Sequence, residues 1–145
     1  MIALVQRVTS ARVEVEQETV AEISTGILAL IGIEKGDEDS QGKRLLQRLL
    51  GYRIFPDHEG KMNLGLQDVR GGLLLVPQFT LAADTRKGMR PSFSSAAPPE
   101  KGRQRFEAFY QLAMEVYPFV QKGVFAADMK VELTNDGPVT FWLSV

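Results

Sequence analysis

The chain has 145 residues, 44% of them hydrophobic, enough for one domain that buries about 70% of the surface its unfolded form exposes. Seventeen Lys and Arg against eighteen Asp and Glu leave a net charge of −1, which excludes nucleic-acid binding through a broad basic field. The absence of Cys excludes disulfides, thiolate catalysis and Cys-based metal centres, and a single His, His58, excludes a multi-histidine site.

A cysteine-free chain suits a reducing compartment, so the cytoplasm is the expected location. The opening Met1-Ile2-Ala3-Leu4-Val5-Gln6-Arg7 reaches a charge too early for a signal-peptide core, and no later apolar run approaches a membrane span. Basic residues cluster locally in Arg86-Lys87 with Arg90, and in Lys101 with Arg103 and Arg105; by sequence each reads as a solvated loop or helix face.

In chain order, Ile2 to Val8 is an apolar strand, and Ala11 to Glu16 alternates Val13 and Val15 with charges, a strand wet on one face. A turn at Gln17-Glu18 leads to a returning arm, Val20 to Ser24. Gly26 to Ile33 is a nearly unbroken apolar run and predicts a central strand buried on both faces. Asp37 to Ser40 offers acceptors for a helix start, and Leu45, Leu46, Leu49 and Leu50 give the helical stripe of a segment from about Asp39 to Gly51. Arg53-Ile54-Phe55 predicts a short strand, Pro56 to Gly60 a turn, and Leu73 to Val76 a second buried strand. Ala83 to Pro99 lacks periodicity, a long loop that is either functional or mobile. A second helix starts at Pro98-Pro99-Glu100, buries Phe106, Phe109, Leu112, Ala113 and Val116, and stops at Pro118. Met129 to Leu133 and Val139 to Val145 predict two closing strands joined by a turn at Thr134 to Pro138. This order predicts one α/β domain over residues 1–145, mixed sheets with two main helices in a β/β/α layering.

The familiar catalytic templates fail. His58 lies in a turn with no nucleophile motif beside it, and the chain has no Gly-x-Ser-x-Gly elbow, Walker loop or Gly-x-Gly-x-x-Gly fingerprint. Two segments stand out. Pro77-Gln78-Phe79-Thr80-Leu81 follows a confident strand, where open α/β sheets place ligands, although an edge strand with a Pro bulge has the same composition. Asn135-Asp136-Gly137-Pro138-Val139-Thr140 has the composition of a hairpin turn.

These two segments, with Gly51-Tyr52-Arg53-Ile54-Phe55, Gly88-Met89-Arg90-Pro91-Ser92-Phe93, Phe125-Ala126-Ala127-Asp128-Met129 and Val139-Thr140-Phe141-Trp142, resemble the D-aminoacyl-tRNA deacylase family, also called D-tyrosyl-tRNA deacylase, over almost the whole chain. The resemblance implies a carboxylic ester hydrolase that removes D-amino acids, and glycine wrongly attached, from tRNA. It needs no metal and no cofactor. The partners implied are the tRNA acceptor end and a second copy of the chain with cross-subunit active sites, and neither DNA nor a membrane.

The family's first motif begins with Ser where this chain has Pro77, which places any chemistry of that hydroxyl in doubt. The resemblance assigns catalysis to Gln78, Phe79 and Thr80 mainly through main-chain groups, with Pro77 and Leu81 beside the substrate. It assigns chiral selection to Gly137 and Pro138, joined by a cis peptide bond and oriented by Arg7, and substrate contact to Phe125, Met129 and Asn135. Arg86, Lys87 and Arg90 are the expected tRNA contacts. A non-catalytic RNA 3′-end or nucleotide-binding module is the alternative in another class, and a purely structural oligomerisation protein a weaker one.

Overall fold

The computed structural model describes all residues, Met1 to Val145. Strand β1, Ile2–Val15, is the organising element because both its edges are paired along most of its length. Its predicted halves are one strand, turned by Glu16 and Gln17, both left-handed (φ 51° and 68°), a two-residue loop one position earlier than the sequence indicates. On one edge β1 pairs antiparallel with β2, Glu18–Ile23, and then with β3, Gly26–Gly32, which follow each other end to end. β6, Gly72–Pro77, lies parallel to β3, and the short β7, Val120–Lys122, lies parallel to β6. Pro77 costs the sheet no hydrogen bond: Gln78 N–H donates to Ile31 O on the β3 side (2.8 Å), so the N of residue 77 faces the other edge, where β7 has already ended opposite Leu75.

The other edge of β1 carries β8, Lys130–Ser144, over its whole length. This corrects the expected pair of closing strands. Both halves run in the same direction antiparallel to β1, and the residues between them form a bulge: Gln6 faces Thr140 and Val8 faces Asn135, so two residues of β1 are spanned by five of β8.

Helix α1 covers Asp39–Gly51 and α3 covers Pro99–Val116, the two main helices expected; α2, Leu66–Val69, is a single turn, and β4, Phe55–Pro56, pairs with β5, Met62–Leu64, in a separate small sheet. The start of α1 differs from expectation. Asp37 is buried, and its carboxylate takes the Met1 ammonium (2.5 Å) and the Glu34 N–H (2.7 Å), while Gln41 Oε1 accepts the free N–H of Glu38.

Strand alternation divides the core into two layers. Ala3, Val5, Ile27, Ala29, Ile31, Leu73 and Leu75 face the helices and pack with Leu45, Leu49, Phe106 and Phe109. Leu28, Leu74 and Val76 face the other side and meet Val8, Val13, Ala21 and Ile23 where the sheet curls over itself. Val5 and Val8 lie on opposite faces, and Val13 joins Val8 because an extra residue of β1 between Val8 and Ser10 shifts the alternation. The closest approach is at Gly26, where a Cβ would stand 2.0 Å from Gly72 O, so only glycine lets β3 and β6 begin side by side.

Candidate active site

A cavity of about 510 Å³ opens at the C-terminal ends of β3 and β6, the position where parallel strands leave groups unpaired. Ile31, Ile33, Val76 and Pro77 form its floor, and Gln78 and Phe79 one side. Pro99, Gly102 and Phe106 of α3 face Phe125 to Met129 and Val131 across it. Pro77, Gln78, Phe79, Phe125 and Met129, singled out in distant parts of the sequence, thus meet in one place.

The wall of the cavity is set by two glycines. A Cβ at Gly102 would lie 3.3 Å from Phe125 Cζ, and one at Gly123 would lie 2.8 Å from Met129 Sδ and 3.5 Å from Pro77 Cδ. Their bare backbones let Phe125 and Met129 close on α3 and on Pro77. Val124 N–H points at Met129 Sδ (3.3 Å), and Phe125 packs against Phe106 with ring centroids 6.3 Å apart. Sequence reasoning missed Gly102 and Gly123. A glycine inside the strongly periodic α3 was the available signal, since it weakens a helix unless something must come close.

After Gln78 the chain enters a 3-10 turn, Phe79–Ala82, whose first closing hydrogen bond runs from Leu81 N–H to Gln78 O. The N–H groups of Phe79 and Thr80 precede that bond and have no acceptor within the turn. Phe79 lines the cavity and Thr80 follows it in the turn. Thr80 Oγ1 accepts from Gln78 Nε2 (2.5 Å), and no carboxylate or imidazole is hydrogen-bonded to it. Thr80 and Leu81 do not line the cavity; Leu81 packs beside Gly32. Phe79 is 58% exposed and packs on Phe93 of the long loop, the ring centroids 5.2 Å apart and the planes tilted by 47°. That loop is tied down: Asp84 and Ser92 exchange backbone hydrogen bonds, Ser95 Oγ donates to Ala82 O, and Lys35 N–H donates to Ser95 O.

Arg7, Asn135, Gly137 and Pro138 occupy a different place, the β8 bulge, three strand spacings from Pro77 (about 14 Å across the strands) and displaced along them as well, since Pro77 is level with Ala3 and the bulge with Gln6 to Val8. The Gly137-Pro138 bond is cis, in keeping with the resemblance, and Gly137 has φ +144°. Arg7, only 9% exposed, is the clamp: Nε donates to Asp136 O (2.9 Å) and Nη1 to Ile54 O (2.7 Å). Asn135 closes the bulge from within, accepting Val139 N–H at 2.7 Å and donating from Nδ2 to Thr140 Oγ1 at 3.0 Å.

Arg86, Lys87 and Arg90 are exposed on the long loop away from the cavity lining. Arg86 is occupied by Asp84, whose carboxyl its guanidinium and N–H hold well below the usual carboxylate range. His58 is exposed in its turn, and no cluster of acids and His suited to a metal exists. No helix is long and apolar enough to cross a membrane.

The model of the family described as D-Tyr-tRNA(Tyr) deacylase matches residues 4–144. The chain belongs to that family. The D-aminoacyl-tRNA deacylase of Thioalkalivibrio sulfidiphilus (strain HL-EbGR7) is 61% identical over the whole chain and 97% of its own length. That of Photorhabdus laumondii subsp. laumondii is 56% identical over the full length of both. A solved structure described as c-Myc DNA Unwinding Element Binding Protein superposes with a TM-score of 0.96 at 35% identity, over 100% of this chain and 99% of that one. In this chain the β8 bulge and the cavity lie apart within a single copy.

Proposed function

We propose that this chain hydrolyses the ester joining a D-amino acid, or glycine wrongly attached, to the 3′ end of tRNA, and that it does so with main-chain groups rather than a side-chain nucleophile. The reading rests on the N–H groups of Phe79 and Thr80, which have no acceptor within their turn, with Phe79 lining a largely apolar cavity that contains no imidazole. The terminal adenosine enters the cavity, its base against Phe125 and Met129. Water attacks the ester carbonyl, and the oxygen that becomes negative is held by the two N–H groups. The tetrahedral intermediate then collapses, the ribose 3′-oxygen leaves with a proton, and free amino acid and tRNA result. The vicinal 2′-hydroxyl of that ribose positions the water, since it lies beside the ester in every substrate.

Chirality is read by backbone. The Gly137-Pro138 dipeptide of a second copy closes the cavity, and its carbonyl excludes any side chain projecting in the L direction without contacting D side chains; glycine, without Cβ, passes. Support for a dimer comes from β8, which leaves its outer edge without a partner strand and carries Trp142 54% exposed. Support for a rigid reader comes from Arg7 and Asn135, which fix the bulge from both sides. Arg86, Lys87 and Arg90, exposed on the long loop, are the proposed contacts to the rest of the tRNA, and the cytoplasm is the compartment proposed. A non-catalytic RNA-end module is not favoured, because the family and the relatives of 56–61% identity are described as deacylases. Deacylation of matched D-, L- and glycyl-tRNA by the purified protein tests the proposal: rapid loss of the D and glycyl esters with the L ester spared is expected, and equal rates for D and L would overturn it.

A further inference from the structure

Arg103 is a cation beside the cavity wall, outside its lining. It follows Gly102 on α3, and its guanidinium carbon lies 5.2 Å from the centroid of Phe125, the ring that walls the cavity. The neighbouring cations are occupied. Lys101 Nζ donates to Lys35 O (3.0 Å), Arg105 pairs with Asp39, and Lys122 pairs with Glu107. The acids that could take Arg103 along the helix are engaged as well, Glu100 with Gln104 and Glu107 with Lys122. Arg103 makes no hydrogen bond or ion pair with the protein, so its donors are open to a ligand while the aromatic face holds its plane.

We propose that Arg103 binds the phosphate on the 5′ side of the terminal nucleotide, a contact that rests on the deacylase reading and names the RNA group that anchors the 3′ end. An adenosine whose base lies against Phe125 carries a single phosphodiester at its 5′ oxygen, within one sugar of the base. The planar fork of a guanidinium matches two phosphate oxygens. Asp128 lines the same cavity and opposes any anion inside it, which keeps the phosphate outside the lining, beside Phe125 where Arg103 stands. The chain has no broad basic surface, so one well-placed cation carries a large share of RNA affinity.

The test compares three substrates, D-aminoacyl-tRNA, 3′-(D-aminoacyl)adenosine 5′-phosphate and 3′-(D-aminoacyl)adenosine, on wild type, Arg103→Gln and Arg103→Lys. Arg103→Gln is expected to raise KM about tenfold for the two phosphate-bearing substrates with kcat unchanged, and to leave the plain nucleoside unaffected. The salt dependence of KM for tRNA should flatten by about 0.7 in log–log slope, one single-strand phosphate contact. Arg103→Lys should recover part of the loss. An equal rise in KM for the nucleoside would mean that Arg103 only supports the Phe125 ring, and no rise for any substrate would remove the residue from binding; either overturns the proposal. Failure of wild type to hydrolyse all three would instead bring down the deacylase reading itself, and this contact with it.

Discussion

The Pro77–Ala82 segment and the β8 bulge are built in opposite ways. At the first, a strand ends and a 3-10 turn begins, which leaves the Phe79 and Thr80 N–H groups without an acceptor in the turn, Phe79 at the cavity and Thr80 next to it in the chain. At the second, a long strand is interrupted and two side chains hold the interruption: Arg7 donates to Asp136 O and Ile54 O, and Asn135 bonds Val139 and Thr140. A site that must bind charge as it develops needs donors without partners, whereas a site that must exclude a side chain by position needs a backbone without freedom.

The largest effect separating the two regions should come from Arg7→Ala. It removes a buried cation from two main-chain carbonyls and should destabilise the fold by about 3 kcal/mol, read from the urea midpoint. At temperatures where the variant remains folded, its rate on D-aminoacyl-tRNA should fall less than its rejection of the L ester. A selective loss of D hydrolysis would break the division of labour. Asn135→Ala should cost about 1–2 kcal/mol and relax chirality in the same sense.

Gly123→Ala probes the other region. The added Cβ meets the mobile end of Met129, so the stability loss should stay below about 1 kcal/mol, while KM should rise severalfold because Met129 is displaced from the cavity wall. Unchanged KM would detach Met129 from substrate binding. The smallest effect should lie outside both regions, at Asp57. Hydrogen bonds from Asn63 Nδ2 and the N–H groups of Lys61 and Glu59 hold its carboxyl below the ordinary value. A carboxyl depressed in the folded state adds stability above its unfolded pKa, near 3.9, and loses it as pH falls through the lower folded value. The small Tm deficit of Asp57→Ala at pH 7 should therefore shrink below about pH 4, with activity intact throughout.

The two regions were unequally legible in the sequence. The buried strands and α1 follow from apolar runs and spacing, and α1 begins and ends where its leucine period indicates. Pro77–Thr80 was readable as a site because residues unsuited to a strand follow a strongly apolar one. The β8 bulge was not, since a Gly-Pro turn between two apolar runs has the composition of a hairpin, and only the pairing of both runs with β1 shows one strand. Arg7 reads as a surface cation for the same reason: its acceptors are main-chain carbonyls from positions 54 and 136, which composition does not reveal. The marks of α2, β5 and β7 are too short to carry a period.

The central claim is that the main chain of Phe79 and Thr80, and not the Thr80 hydroxyl, stabilises the reacting ester. The most direct test replaces the peptide N–H of residue 79 or of residue 80 by an ester oxygen with the side chain kept, and compares single-turnover hydrolysis of D-aminoacyl-tRNA with that of Thr80→Ala. Each ester variant should lose about 10²–10³-fold in rate, whereas Thr80→Ala should keep most of its activity. A folded Thr80→Ala protein without turnover, a trapped acyl-Thr80 adduct, or ester variants as fast as wild type would contradict it.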